Sequence, residues 1–229
     1  SPLLRIKRNK IPENKIIITA RHHCCEMMAS YALEGMIDYV LQNSNIPDIQ
    51  NIEFVFIPMV DLDGVEEGDQ GKGRAPHDHN RDYGEICLYP ETPAIKAEVN
   101  SNKNQKLITF DMHCPHLKGE WNEQVYIVGS PFERIFNEEL KFLKIVELEN
   151  DGLLPFGQKN ILPYGKEWNT TPPGSSNGSW CGQQAHVKMN ASIEIPYSNA
   201  EGKDVTQDSA YKLGEVIIRS MIRYFESSS

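Results

Sequence analysis

Short apolar runs closed by turn residues, separated by stretches whose apolar side chains recur every three or four positions, constrain this chain more than any other feature. Runs of that length read as strands, and helix-period segments between them supply the crossovers that parallel strands require. The alternation predicts an α/β fold with a parallel sheet. The expected strands are LLRIKR (3–8), KIIITA (15–20), EFVFIPMV (53–60), KLITFDM (106–112), VYIVG (125–129) and ASIEIPY (191–197). A helix is expected from Glu26 to about Gln42, with Met28, Ala32, Met36 and Val40 on one face. Thr92-Pro93 and Ser130-Pro131 each pair a cap residue with a proline suited to the first helical position, so helices are expected to begin there. The last helix should run from about Gln207 to Phe225 and bury Ala210, Leu213, Ile217, Met221 and Tyr224 as ordinary core. Two long stretches, 61–90 and 150–190, carry neither period. Loops of that length in a compact fold are usually functional or mobile.

At 229 residues and 39% hydrophobic content there is apolar mass for one substantial core, and a single domain over 1–229 is expected. A formal charge of -9 argues against a nucleic-acid or anionic-membrane partner, because the one basic run, RIKRNK, is too short to neutralise a row of phosphates. No window approaches the roughly 18 apolar residues of a membrane span. The chain as given starts at Ser1, shows no signal-peptide pattern, and leans towards an exported protein, periplasmic or extracellular, with the cytoplasm as the alternative. Five cysteines cannot all pair, and a bridge between the adjacent Cys24 and Cys25 would be strained. Free thiols, or one bridge among Cys87, Cys114 and Cys181, both remain open.

In an open α/β sheet ligands bind beyond the carboxyl ends of the strands, so polar residues that follow apolar runs come first. ARHHCCE follows KIIITA, HCPH ends KLITFDM, a Gly-, Asp- and His-rich loop follows EFVFIPMV, and Glu194 lies within SIEIPY. If a helix starts near Cys24, His23 and Glu26 stand three apart on one face, where an imidazole nitrogen and a carboxylate oxygen converge on one cation. A catalytic zinc takes three protein ligands and keeps a position open, and His113 is the natural third, with Asp111 near enough to orient a ring. His-x-x-Glu alone is weak in a chain with 7 His and 32 acidic residues. His22 should face away from His23 and serve structure, His116 competes with His113, and His77 and His79 are expected to brace their loop. Cys24 and Cys25 lack the second Cys-x-x-Cys of a closed structural zinc site.

ARHHCCEMMASYALEGMIDYVL resembles the Arg-x-His-Pro-Gly-Glu segment and following helix of the zinc metallocarboxypeptidases, the carboxypeptidase A-like family, and is closest to its cytosolic carboxypeptidase branch. PMVDLDGVEEGD, HDHNRDY, FDMHCPH and SIEIPY are similar, in order, to further elements of that branch, so the likeness spans residues 15 to 225. It implies a mixed, mostly parallel central sheet with helices on both faces, of the phosphorylase/hydrolase type. It also implies one zinc ion, Zn2+, held by His23, Glu26 and His113, with Glu194 as general base for the attacking water. Asn80 and Arg81 would grip the terminal carboxylate of a peptide substrate, which confines cleavage to the last residue.

The departures are local. Cys24-Cys25 replace Pro-Gly, and Asp61-Leu62 replace Asn-Pro. The family's oxyanion arginine falls at Gly71, leaving Arg74 or Lys72 as substitutes, with Arg74 favoured for its planar fork. A tyrosine often found before the base strand is absent, and Gly178 and Ser179 occupy the specificity loop. The expected activity is a zinc metallocarboxypeptidase, a hydrolase of C-terminal peptide bonds. The alternatives are a zinc amidase or deacylase of N-acyl amino acids or cell-wall peptides, and an inactive binding domain.

Overall fold

A computed structural model describes residues 1–227. In chain order its elements are β1 (Leu4–Ile6), β2 (Asn14–Ala20), α1 (Met28–Gln42), α2 (Pro47–Gln50), β3 (Ile52–Ile57), α3 (Leu62–Glu67), α4 (Glu91–Asn100) and β4 (Lys106–His113). They continue with β5 (Tyr126–Val128), α5 (Glu133–Glu149), β6 (Ile161–Leu162), α6 (Asn177–Gln183), β7 (Val187–Glu194), β8 (Asn199–Ala200), β9 (Lys203–Asp204) and α7 (Gln207–Glu226). Seven strands form one sheet in the order β1-β3-β2-β4-β7-β5-β6. Four of them, β3, β2, β4 and β7, are parallel, while β1 at one edge and the β5–β6 pair at the other run against them. The mixed, mostly parallel sheet implied by the resemblance is what the chain forms.

Burial explains why the central strands read as continuous apolar runs. Every residue of β3 and all of β2 after Asn14 are buried, because helices cover both faces. Successive residues point to opposite faces. Ile16, Ile18, Phe54 and Phe56 join the larger core with α1, α5 and α7, whereas Ile17, Val55 and Ile57 join a smaller one with Tyr83, Ile95, Val99 and Cys181. The stripes expected on α1 and α7 are buried as expected. Those two helices touch backbone to backbone: a Cβ on Gly35 would strike the Tyr211 carbonyl, and one on Gly214 the Ala32 carbonyl. Only glycine permits that approach.

Boundaries differ where local bonds outcompete pattern. Pro131 does not open α5; the Ser130 hydroxyl accepts from Phe132 N–H at 3.2 Å, closing a turn first, and the helix starts at Glu133. α4 starts two residues early, at Glu91 after Pro90. The two long stretches hold α3, α6 and β6, too short for a period to show. All five cysteines are free.

Candidate metal centre

Because β2, β4 and β7 are neighbours in parallel, their carboxyl ends lie side by side, with Ala20 opposite Met112 and His113 opposite Glu194. Past β2 the backbone bends through Arg21, whose φ of 61° is left-handed. Its guanidinium braces the bend by donating to Cys24 O at 2.7 Å and Ser30 Oγ at 2.9 Å. Glu26 N–H then donates to His23 O at 3.1 Å, and α1 begins only at Met28. His23 and Glu26 therefore converge from a turn, not from the helix face that their spacing suggested.

The convergence itself is tight. His23 Nδ1 lies 2.9 Å from Glu26 Oε1, and His113 Nδ1 lies 2.8 Å from Glu26 Oε2. One donor atom from each of the three falls within 4.8 Å of the others, and the three residues are 8%, 1% and 4% exposed. Two imidazoles and a carboxylate are a zinc-type donor set, and a carboxylate shared between two rings lies where a divalent ion would gather all three. The residues present fit such an ion. His22, Asp111 and His113 form a second cluster of metal-ligand types. Asp111, however, is already taken by Thr19 Oγ1 at 2.8 Å, His22 Nδ1 at 2.8 Å and His113 Nε2 at 2.7 Å, and His22 Nε2 meets Tyr83 Oη at 2.7 Å. Those links close a supporting network behind the first cluster. The neighbouring rings hold Asp111 far below the ordinary carboxyl range despite its complete burial.

Glu194 ends β7 with its Oε2 enclosed and without a hydrogen-bond partner among the described residues. Burial pushes its carboxyl up to about 7, with His113 and Lys72 opposing and Glu26 adding to the rise. Lys72 Nζ lies 2.7 Å from Glu26 Oε1 and donates to Cys114 O at 3.0 Å. Arg74, favoured from sequence for the oxyanion, is not brought to this cluster. Its Nη2 is held between Asp61 Oδ2 and Asp69 Oδ2, each at 2.8 Å, and it lines neither cavity here. Gly71 is accounted for by contact: its φ is 75°, and a Cβ would come within 2.6 Å of Cys24 N.

Two cavities open on the cluster. One, of about 370 Å³, runs past His23, Asn80, Arg81 and His113 to Glu139, Gly178, Asn190 and Ser192. The other, of about 470 Å³, is lined by Glu26, Lys72, His116, Tyr126 and Trp168 among others, and the two share His23, Arg81, Trp168 and Glu194. Arg81 is exposed, and its guanidinium makes no hydrogen bond or ion pair among the described residues. Asn80 is anchored, with Nδ2 3.3 Å from His113 Nε2 and Oδ1 accepting from Asn177 N–H at 3.1 Å. His116 is exposed at a cavity wall and belongs to neither ligand cluster. His77 bonds Asp82 at 2.7 Å and His79 stacks on Tyr89 at 3.7 Å, so both brace the loop.

Sequence reading missed Asp78. Its carboxylate caps the short turn His79–Arg81 by accepting Arg81 N–H at 3.1 Å, and lies 3.6 Å from His23 Nε2. Burial works against it, yet the hydrogen bond and charge of His23, with Arg81 beyond, hold its carboxyl down to about 2. One side chain thus ties the cluster to the segment carrying Asn80 and Arg81. An Asp three before the Arg was a visible cap signal. Tyr126, whose buried hydroxyl has no hydrogen-bond partner among the described residues, and Trp168 carried no such signal.

Comparison with known proteins accords with this geometry. A family model described as zinc carboxypeptidase, Peptidase_M14, matches residues 2–131. Cytosolic carboxypeptidase 3 of Bos taurus is 39% identical over 121 residues, 50% of this chain and 12% of the bovine protein. Cytosolic carboxypeptidase 2 of Homo sapiens is 35% identical over 108 residues, 43% of this chain and 12% of the human one. The chain therefore aligns with about an eighth of these relatives' length. A metallo-carboxypeptidase from Pseudomonas aeruginosa, solved with (2-guanidinoethylmercapto)succinic acid, superposes with a TM-score of 0.77 at 19% identity, covering 99% of this chain and 61% of that one.

Proposed function

The chain belongs to the zinc carboxypeptidase family, whose model matches more than half of it, and from that premise we propose that it hydrolyses the C-terminal amino acid from peptides. The observation that carries this reading is the meeting of His23, Glu26 and His113 beside an unpartnered Glu194 oxygen, with the free guanidinium of Arg81 across the same cavity. A zinc ion held by those three residues would polarise the scissile carbonyl and lower the pKa of water.

The remaining work falls to the chain's own side chains. Glu194 takes the proton of the attacking water at Oε2 and returns it to the leaving amine; an enclosed carboxyl lifted to about 7 suits both transfers near neutral pH. Arg81 meets the substrate's terminal carboxylate, and Asn80 adds an amide donor from the same turn. Lys72 replaces Arg74 in the proposal as the cation nearest the developing oxyanion, since Arg74 is engaged by two aspartates. The succinic acid derivative bound by the Pseudomonas neighbour carries carboxylates, consistent with a carboxylate-recognising site. Its relatives are named cytosolic, and five free thiols suit a reducing compartment, so the cytoplasm is favoured over export.

The experiment is a panel of N-blocked dipeptides, each with a free or an amidated C-terminus, given to the zinc-loaded protein. Cleavage of the free acids alone is expected. Equal cleavage of both sets would replace the exopeptidase by an amidase or deacylase, and zinc binding without any cleavage would indicate a binding domain.

A further inference from the structure

Tyr126 on β5 has no part in the reaction above, yet its register sets it directly across from Glu194 on β7. Residues opposite each other on antiparallel strands present their side chains to one face, with Cβ atoms about 5 Å apart. The phenol is therefore the sheet neighbour of the proposed base. Both side chains line the larger cavity, the one that also holds Glu26 and Lys72. Tyr126 is 0% exposed, and its hydroxyl, like Glu194 Oε2, is enclosed with no hydrogen-bond partner among the described residues. Two orphaned polar atoms on adjacent strands thus share one enclosure, and each alone costs the desolvation of a bond not made.

The ring is held in place by its neighbours. Trp121 meets it edge-on with ring centroids 5.2 Å apart, and Trp168 does so with centroids 6.4 Å apart. Burial holds its hydroxyl above the ordinary phenol range, the charge of Glu194 adds to the rise, and the Trp168 indole opposes it without closing a hydrogen bond. A phenol that keeps its proton is a donor in search of an acceptor. Three carboxylates line this cavity among the described residues. Glu26 is engaged by both rings and Lys72, and Asp78 by His23 and the Arg81 N–H. Glu194 is left with an open oxygen. No direct bond joins the pair, but one water between them accepts from the phenol and donates to the carboxylate, which satisfies both atoms at once. A carboxylate oxygen has two lone pairs, so Oε2 can hold that water and still receive the reacting proton. Resting on the carboxypeptidase reading, we infer that Tyr126 is a positioning residue for Glu194: through one bridging water its hydroxyl fixes the orientation of the carboxylate for both proton transfers.

The test is Tyr126→Phe, which keeps the ring and its two edge contacts and removes only the oxygen. A hydroxyl that is merely trapped predicts unchanged activity and a protein at least as stable as wild type, because an unmade hydrogen bond is relieved. The positioning role predicts a fall in kcat of roughly tenfold on a blocked dipeptide with a free C-terminus, at constant KM and constant bound zinc. A second readout needs no turnover: urea denaturation of zinc-loaded wild type, Tyr126→Phe, Glu194→Gln and the double variant, at a pH where Glu194 is ionised. Tyr126→Phe should lower the urea midpoint when Glu194 is present, and leave it unchanged or raise it in the Glu194→Gln background. Equal midpoint shifts in the two backgrounds, or an unchanged kcat in Tyr126→Phe, each overturns the assignment. Unequal shifts without cleavage of any peptide by wild type would sink the exopeptidase reading and leave the pair standing. Cleavage by wild type with neither effect in the variant would do the reverse.

Discussion

The two halves of the cleft differ in how their polar groups are partnered. On the strand side, Thr19, Asp111, His22, Tyr83, His113, Glu26 and His23 form one continuous chain of hydrogen bonds. On the loop and α5 side, the Arg81 guanidinium has no partner among the described residues and the Glu139 carboxyl has one backbone donor. A closed network fixes ring orientations before any ligand arrives, which is what metal holding needs. Polar groups left short of partners store a demand that a ligand must meet, which is what selection needs. Glu194 sits between the halves: its backbone belongs to the sheet, while one of its carboxylate oxygens is left open.

That intermediate position gives the largest expected effect. Glu194→Gln removes a proton acceptor and no link of the closed network, so kcat should fall about 10³-fold with bound zinc unchanged, measured by single turnover and metal analysis. Activity within about tenfold of wild type would move the base role elsewhere. Next in size is a pH effect on the open half. Folding keeps the Glu139 carboxyl protonated up to about 8, whereas the unfolded chain releases that proton near pH 4.5. Its contribution is therefore complete below pH 4.5 and is lost as pH rises towards 8. Between those limits wild type should lose roughly 2–4 kcal/mol relative to Glu139→Gln in urea denaturation. A constant difference would mean that Glu139 is already compensated.

The closed half is probed by Asp111→Asn, which keeps the shape but removes the charge that three partners share. Zinc affinity should fall about 10–100-fold, read by competition with a chelating dye, while peptide preference stays the same. A change in preference at constant affinity would erase the distinction between the halves.

How legible each half was in the sequence follows from the same difference. Strand ends are announced by apolar runs, so His23, His113 and Glu194 could be placed together before any coordinates, and the α1 and α7 stripes were buried as their spacing required. Glu26 was found through a false helix: a turn delivered the same convergence, because three-residue spacing closes a turn as well as a helix face. The loop side was less legible, Asn80 and Arg81 being named only through the family resemblance. Asp78 acts through a cap and Glu139 through the inward face of a helix whose charged residues otherwise look solvated, and neither follows from periodicity. Arg74 misled because two aspartates, at 61 and 69, reach it only after the loop folds back.

Lys72 and Arg74 supply the finest comparison, since both are cations from one loop and stand on opposite sides of the boundary. Lys72 faces Glu26 in the larger cavity, so Lys72→Ala should lower kcat by about tenfold and leave the melting temperature nearly unchanged, its side chain being 30% exposed. Arg74 is bound to Asp61, which is 1% exposed and also caps α3 by accepting Gly64 N–H at 3.0 Å. Removing the guanidinium strands that carboxylate, so Arg74→Ala should cost about 1–3 kcal/mol of stability with kcat per folded molecule preserved. The two outcomes should exchange if the loop shifts on zinc binding to bring Arg74 to the oxyanion. Measuring kcat and melting temperature for both variants, with zinc and with chelator, decides which cation belongs to the chemistry.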